Sequence, residues 1–411
     1  MVQTSFLGDM LNTLIERRRI KDTRPVEQMC EALLAAEGEV SGMTLAKAIL
    51  DHYAGLDDAG KLGFFQFLND ALDLDADALA DHAREYADSK SLGAYQALSE
   101  ASEPRRQELL RRLNQSSGAT AALVNMRTDL RRLAKDNPDL KRTDMDFLHL
   151  LRSWFNRGFL VLRRIDWNTP ATILEKIVAY EAVHEIESLD DLRRRLHPED
   201  RLCYAYFHPT MPDEPLIFIE VALSDAIPSS VQDILAKGRT PLDATKANVA
   251  VFYSISNCQI GLQGVSFGNL LIKQVVEELS LAHPQLDTFV TLSPIPGFNR
   301  WKNDSAQLSS ADTALAAHYL LNERAPNGTP LDPVARFHLG NGAQIHAVHA
   351  DADTSANGQA QSNGVMANYL YDTKAIEKNH AIFLSGSALP ASKAIMALAN
   401  EAKPLLRDLI K

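Results

Sequence analysis

Ser293 and His338 are the residues whose type and setting could do chemistry. Ser293 stands in TLSPIPGF, a hydroxyl beside a corner forced by Pro294, Pro296 and Gly297. His338 stands in RFHLGNGA, just before a Gly-Asn-Gly turn. Upstream of both, Gly261, Gly264, Ser266 and Gly268 form G-x-x-G-x-S-x-G between an apolar run and a helical pattern. A Gly-rich turn opening a helix is an anion cradle, because free backbone N–H groups and the positive end of the helix dipole converge there. A phosphate-holding turn followed one strand later by a reactive hydroxyl suits a substrate on a long phosphorylated handle, such as coenzyme A. The turn lacks the Lys-Ser/Thr end of a Walker loop and the spacing of a dinucleotide fingerprint, so a plain helix cap at Ser266 stays open as a reading. Ser293 is outside any G-x-S-x-G elbow, which removes the support for a serine hydrolase; alone, it reads as a turn opener before proline.

The other histidines offer less. His346, His349, Asp351 and Asp353 read HAVHADAD, but an alternating strand would put the two imidazoles on opposite faces, so no metal site is expected. The cysteines Cys30, Cys203 and Cys258 are three in number, far apart and without CxxC spacing, which excludes a disulfide framework and a zinc knuckle. A net charge of -11 argues against nucleic acid as a partner, and it requires an anionic substrate to be met by local positive charge or backbone amides.

The elements that must carry these residues fall into two regions. Residues 1–156 read as an all-helical domain: Leu45, Ile49, Leu50 and Tyr53, and Phe64, Phe67, Leu68 and Leu72, recur at helical spacing. Ser102 before Glu103-Pro104 reads as a helix start, and Thr143 with Asp146 as a capping box. The opening MVQTSFLGDMLNTLIERRR is an amphipathic helix rather than a secretory signal. Residues 157–411 read as an α/β domain. FLVLRRI, LIFIEVAL, NVAVFYSIS, DTFVTLS and AQIHAVHA are strands, with helices at 170–180, 189–196, 269–281 and 311–321. Residues 299–333 are polar and read as a surface insertion. No apolar run reaches membrane-spanning length, and the cytoplasm is the expected location.

Taken in order, DWNTPATILEKIVAYEAVH, HPTMPDEPLIFIEVAL, FYSISNCQIGLQGVSFGNLLIK, TLSPIPGF, FHLGNGA and ADADTSANGQAQSNGVMANYLY resemble the malonyl-CoA decarboxylase family, over residues 166–371. The resemblance implies a helical oligomerisation domain and a catalytic domain of the GNAT (N-acetyltransferase-like) α/β fold. It implies conversion of malonyl-CoA to acetyl-CoA and carbon dioxide through a thioester enolate, with no added cofactor or metal, in fatty-acid and malonate metabolism. The family's coenzyme A loop falls on Gln263, Gly264, Val265, Ser266, Phe267, Gly268 and Asn269, with Ile272 on the helix beyond. Its serine and histidine pair falls on Ser293 and His338, which also contact substrate. The tyrosine of its NYxY segment is Tyr371, and the lysine of its TPxxxLxKI segment is Lys176. His338 is expected as proton donor, titrating near neutrality. Ser266 replaces the Glu of animal members, which favours a bacterial type. A homotetramer is implied. Two other readings use the same cradle: an acyltransferase acting from coenzyme A, and a non-catalytic acyl-CoA sensor.

Overall fold

A computed structural model describes residues 24–265, 268–305, 312–386 and 388–402. The proposed amphipathic opening helix lies outside these residues. The chain divides into two compact units. One holds the described residues up to Trp154 together with Ile260–Val265; the other holds the rest.

The first unit is helical: α1 (Val26–Leu34), α2 (Glu39–Ala54), α3 (Asp58–Asp70), α4 (Ala76–Ser89), α5 (Leu92–Ala101), α6 (Arg105–Leu113), α7 (Ala119–Leu133) and α8 (Lys141–Trp154). Its core gathers the expected stripes, with Ile49, Leu50 and Tyr53 against Phe64, Phe65 and Leu68, and with Leu109, Leu123 and Phe147. Two expected caps are replaced. Ser102 ends α5, donating to the Ser99 carbonyl at 2.8 Å, and α6 starts after Pro104 without a side-chain cap. Thr143 and Asp146 lie inside α8, which begins earlier at Lys141. Both are taken by tertiary bonds instead. Thr143 donates to Asn69 Oδ1 at 3.1 Å, and Asp146 accepts from Arg106 Nε at 2.5 Å. Removing a buried arginine from water demands such partners, which outweighs a local capping preference.

Residues Ile260–Val265 are seated on this bundle. Arg127, fully buried, pairs with Asp144 at 2.8 Å and donates Nη1 to the carbonyls of Gly261 and Gln263 at 2.7 and 3.0 Å. Arg131 donates to Gln263 Oε1 at 2.6 Å, and Arg152 donates to the Gly264 carbonyl at 3.2 Å. Gly261 is required by close approach: a Cβ there would stand 1.9 Å from the Val124 carbonyl oxygen. Gly264 is required by its backbone, at φ 91.

The second unit is a mixed α/β fold, as expected. Its strands are β1 (Val161–Ile165), β2 (Arg201–Phe207), β3 (Ile217–Ser224), β4 (Val249–Asn257), β5 (Thr288–Thr291), β6 (Ser293–Pro294), β7 (Gln344–His349) and β8 (Met366–Leu370). They join in the order β1-β2-β3-β4-β5-β8-β6, with β7 on β8. The pairing is antiparallel except for β4 and β5, which run parallel and are linked through α12 (Gly268–Ala282). The helices preceding α12 are α9 (Ala171–Tyr180), α10 (Leu189–Leu196) and α11 (Val231–Leu235). After it come α13 (Phe298–Ser305), α14 (Asp312–Asn322), α15 (Pro333–Gly340), α16 (Ala356–Ser362), α17 (Ile376–Ser385) and α18 (Lys393–Glu401).

Residues 299–333 are not a mere surface insertion. Leu315, Ala316, Ala317 and Leu320 of α14 are fully buried, so the segment supplies core. In β7 a register shift between Ile345 and Ala347 leaves His346 in a bulge, so simple alternation fails there. The proximity of His349 adds to burial in lowering the His346 pKa. Among the described residues no group of three or more His, Cys, Asp or Glu side chains is placed to hold a metal ion. Nor is any helix there long and apolar enough to cross a membrane.

Under β3 lies a charged core. Glu220 is fully buried; Arg195 donates to it at 3.3 Å while also reaching Asp191 and the carbonyls of His184 and Glu185. Burial, then the neighbouring Glu181 carboxylate, pushes Glu220 up to about 8 from 4.5. A raised acid pKa means the folded state keeps a proton that the unfolded chain has released. Stability from this group is therefore full below 4.5 and is lost as pH rises toward 8. The melting temperature of the wild-type protein should accordingly fall between pH 5 and pH 8 more steeply than that of Glu220→Gln, as read by calorimetry across that range; parallel curves would show that Glu220 is ionised throughout. Gly261→Ala, in turn, should cost about 1–3 kcal/mol in chemical denaturation because the added methyl meets backbone on a packed helix. An unchanged midpoint would show that the turn can lift off α7 freely.

Candidate functional site

The site is assembled around the buried imidazole of His338. Asp332 caps α15, accepting from the backbone N–H of Val334 and Ala335 at 2.9 and 2.8 Å, and Pro333 occupies the first turn, where its missing N–H costs nothing. Burial raises the Asp332 carboxyl to about 6, against the pull of those N–H groups. Two turns on, His338 points inward, 2% exposed. Tyr369 stacks on its ring with centroids 4.5 Å apart, and Phe337 and Tyr371 meet it edge-on.

Both ring nitrogens are satisfied. His338 Nε2 lies 3.1 Å from Ser293 Oγ, and Nδ1 lies 2.8 Å from Tyr371 Oη. Ser293 sits on β6 just past the end of β5, and Tyr371 follows β8, its N–H donating to the Phe289 carbonyl at 2.8 Å. Thus Ser293, His338 and Tyr371 form one hydrogen-bonded line. Burial lowers the His338 pKa to about 3, so the expected titration near neutrality is replaced by a neutral resting imidazole. The same burial holds Tyr371 well above the usual phenol range, so it is a neutral O–H donor.

A cavity of about 300 Å³ reaches Ser293 and His338, with walls from Val183, Phe252, Ile255, Phe337 and Pro294. The walls are largely apolar, with Ser293, His338, Tyr253 and Asn257 as the polar groups among them. That is the form of a small-molecule site with a reactive end. Such an arrangement can hold a proton at Nε2, present a hydroxyl beside it, and exclude water from both.

The remaining predicted residues are distributed otherwise. Gln263, Gly264 and Val265 belong to the turn held by the helical unit, where the Gln263 side chain is bound to Arg131. Ser266 and Phe267 lie outside the described residues, and so does the side chain of Asn269. Gly268 and Asn269 open α12, and Ile272 is fully buried on it. Lys176 is not joined to the Ser293–His338–Tyr371 line. Its ammonium is 2.6 Å from Glu214 Oε1 and 2.9 Å from the Asp213 carbonyl, at the loop between β2 and β3.

Two contributors escaped sequence reading. Thr291 accepts a hydrogen bond from Ser293 Oγ at 2.9 Å, yet a threonine ending a strand carries no signal of its own. Asp332 was legible in principle, since Asp-Pro before an apolar stretch is a helix start.

Family models place the chain among known proteins. The malonyl-CoA decarboxylase C-terminal domain matches residues 158–312 and 302–408, and the N-terminal domain of the same family matches 72–155. The chain is 34% identical over 354 residues to the mitochondrial malonyl-CoA decarboxylase of Anser anser anser, covering 72% of this chain and 70% of that protein. Crystal structures of malonyl-CoA decarboxylase from Rhodopseudomonas palustris and from Agrobacterium vitis are each 46% identical, with TM-score 0.86. They cover 90% and 91% of this chain, and 98% and 99% of their own. Matches of this extent, over both regions, make the chain a member of the malonyl-CoA decarboxylase family.

Proposed function

We propose that this protein decarboxylates malonyl-CoA to acetyl-CoA, acting as a carboxy-lyase. The observation that carries the reading is the buried Ser293–His338–Tyr371 line, whose first two members border the cavity, in a chain of this family.

The chemistry explains why these groups suffice. The thioester carbonyl is itself the electron sink, so neither an organic cofactor nor a metal is required. The carbon–carboxylate bond must lie out of the carbonyl plane, where its electrons pass into the π-system. As carbon dioxide leaves, an enolate forms, and one proton must then reach the α-carbon. The balance is malonyl-CoA plus a proton giving acetyl-CoA plus carbon dioxide.

A thioester enolate is a far stronger base than an imidazolate, so neutral His338 is acid enough to protonate it. Neutral imidazoles serve as electrophiles elsewhere for this reason. Nε2–H is the proton source, and Ser293 Oγ, 3.1 Å away, holds it in aim or relays it. The Ser293 hydroxyl can also turn to the malonyl carboxylate. Tyr371 steadies Nδ1 and donates to the imidazolate left at His338, which regains its Nε2 proton from solvent once product leaves the cavity. The apolar walls keep water from the developing charge, where hydrogen bonds are strongest. The amides opening α12 are the cradle for the coenzyme A phosphates; this meets an anionic substrate without relying on the overall charge of -11.

The reading extends to the setting of the enzyme. It acts in the cytoplasm, in fatty-acid or malonate metabolism, as a homo-oligomer, with a tetramer expected from the family. Support for self-association comes from α4, which buries no residue within the chain, and from exposed Leu92 and Tyr95 on α5.

The test is incubation of purified protein with malonyl-CoA and no added metal or cofactor, following acetyl-CoA by mass spectrometry. Conversion is expected. His338→Asn and Ser293→Ala should each lower kcat by about 100- to 10,000-fold, the range for a positioned proton-transfer group. Coenzyme A affinity, read by calorimetry, should stay near that of the wild type. Near-normal turnover in either variant would remove that residue from the chemistry. Tight coenzyme A binding with no turnover by the wild type would instead favour an acyl-CoA sensor.

A further inference from the structure

A hydroxyl group has one hydrogen to donate, and in Ser293 it goes to Thr291 Oγ1 at 2.9 Å. From the other side, the Tyr369 backbone N–H donates to the same Thr291 oxygen at 3.1 Å. A backbone N–H cannot reverse its direction, so one lone pair of this oxygen is taken by Tyr369, and the other receives the Ser293 hydrogen. The Thr291 main chain is held as well, its carbonyl accepting from Asn368 Nδ2 at 2.8 Å. The Asn368 amide is oriented in turn by His349 Nε2, 2.5 Å from its Oδ1. Thr291, Asn368 and Tyr369 are all fully buried, so water does not compete for these bonds.

The consequence passes to the imidazole. With the Ser293 hydrogen directed to Thr291 in the substrate-free protein, the 3.1 Å contact between Ser293 Oγ and His338 takes its hydrogen from Nε2. A neutral imidazole carries one N–H. Nδ1 is therefore bare and accepts from Tyr371 Oη at 2.8 Å. The whole line then runs in one sense, from Tyr371 through His338 and Ser293 to Thr291.

We propose that Thr291 is a positioning residue for decarboxylation: by accepting the Ser293 hydrogen it holds His338 in the Nε2–H form, so that the nitrogen facing Ser293 is loaded before substrate arrives. The inference rests on the decarboxylase reading above for its catalytic meaning, and on the hydrogen-bond geometry alone for its structural content. The opposite form would place the hydrogen on Nδ1, toward Tyr371, and leave Nε2 with nothing to give the α-carbon.

Thr291→Val tests this with little change in shape. It keeps the β-branch and removes the acceptor. The Ser293 hydroxyl then turns to Nε2, and His338 moves to the Nδ1–H form, donating to Tyr371. Thr291→Ser restores the acceptor. The measurement is solid-state nitrogen NMR of substrate-free protein labelled on histidine, with the His338 signals assigned by their loss in His338→Asn. Alongside it, kcat and KM for malonyl-CoA are measured for each variant.

The expected result is an Nε2–H His338 in the wild type and in Thr291→Ser, and an Nδ1–H His338 in Thr291→Val. With it, kcat of Thr291→Val should fall about 10- to 100-fold, as for a misplaced tautomer, at near-constant KM and with rescue in Thr291→Ser. A loss of activity with the Nε2–H form retained would mark a packing role and overturn the proposal. So would an Nδ1–H His338 in the wild type, which requires no variant to fold. Unchanged kcat in Thr291→Val beside an active wild type overturns the Thr291 assignment alone. A wild type that does not turn over malonyl-CoA overturns the decarboxylase reading, and with it any role of Thr291 in that reaction.

Discussion

An imidazole removed wholly from water must have both nitrogens bonded, and that requirement organises the α/β unit. An unpaired buried ring nitrogen would cost on the order of 1–3 kcal/mol. His338 meets the requirement with Ser293 and Tyr371, residues 45 and 33 positions away in the chain. Three elements must therefore arrive together: the corner after β5, the last turn of α15, and the end of β8. The sheet provides the common frame, since β5 and β6 both pair with β8. A capped, proline-started helix then delivers His338 at a set angle. The stacked face of Tyr369 and the edge-on ring of Tyr371 close the remaining sides.

The helical unit obeys the same rule with a different group. Arg127 is fully buried, and its charge is tolerated because Asp144 and two carbonyls of the Gly261–Gln263 turn surround it. Truncating one side of such a set leaves a stranded charge, so the arginine and the turn depend on each other. Gly261 completes the fit by allowing backbone to meet backbone at α7. The glycines that looked like parts of a phosphate loop thus have separate physical reasons: contact at Gly261 and a left-handed backbone at Gly264.

Much of the fold was legible because its signals are local. Strands β3 and β4 are long apolar, β-branched runs, and α9, α10, α12 and α14 follow clear helical periods. What was missed lies where side-chain type and environment disagree. β2, Arg201–Phe207, is buried at every position, yet an arginine and two tyrosines interrupt its apolar run. β8, MANYL, is short and carries an asparagine that is buried only because Thr291 and His349 take up its amide. Ser102 and Thr143 matched capping patterns, but Ser102 turns back onto the Ser99 carbonyl and Thr143 bonds the buried Asn69. In the site, Ser293 and His338 each read as ordinary turn residues. Only long segment resemblance linked them, and no short-range pattern can report a contact across 45 residues.

A decarboxylase of a thioester needs less from its protein than most enzymes, and the site reflects that. The electron sink travels with the substrate, so the protein must supply alignment, dryness and one proton. Burial, which lowers His338 to about 3, would disable a histidine that had to act as imidazolium near neutrality. In the mechanism proposed above it does no harm, because a thioester enolate is basic enough to accept a proton from the neutral ring. The same burial strengthens the bonds to Ser293 and Tyr371 by excluding water. Dryness and proton donation from a neutral ring are therefore compatible in the mechanism proposed above.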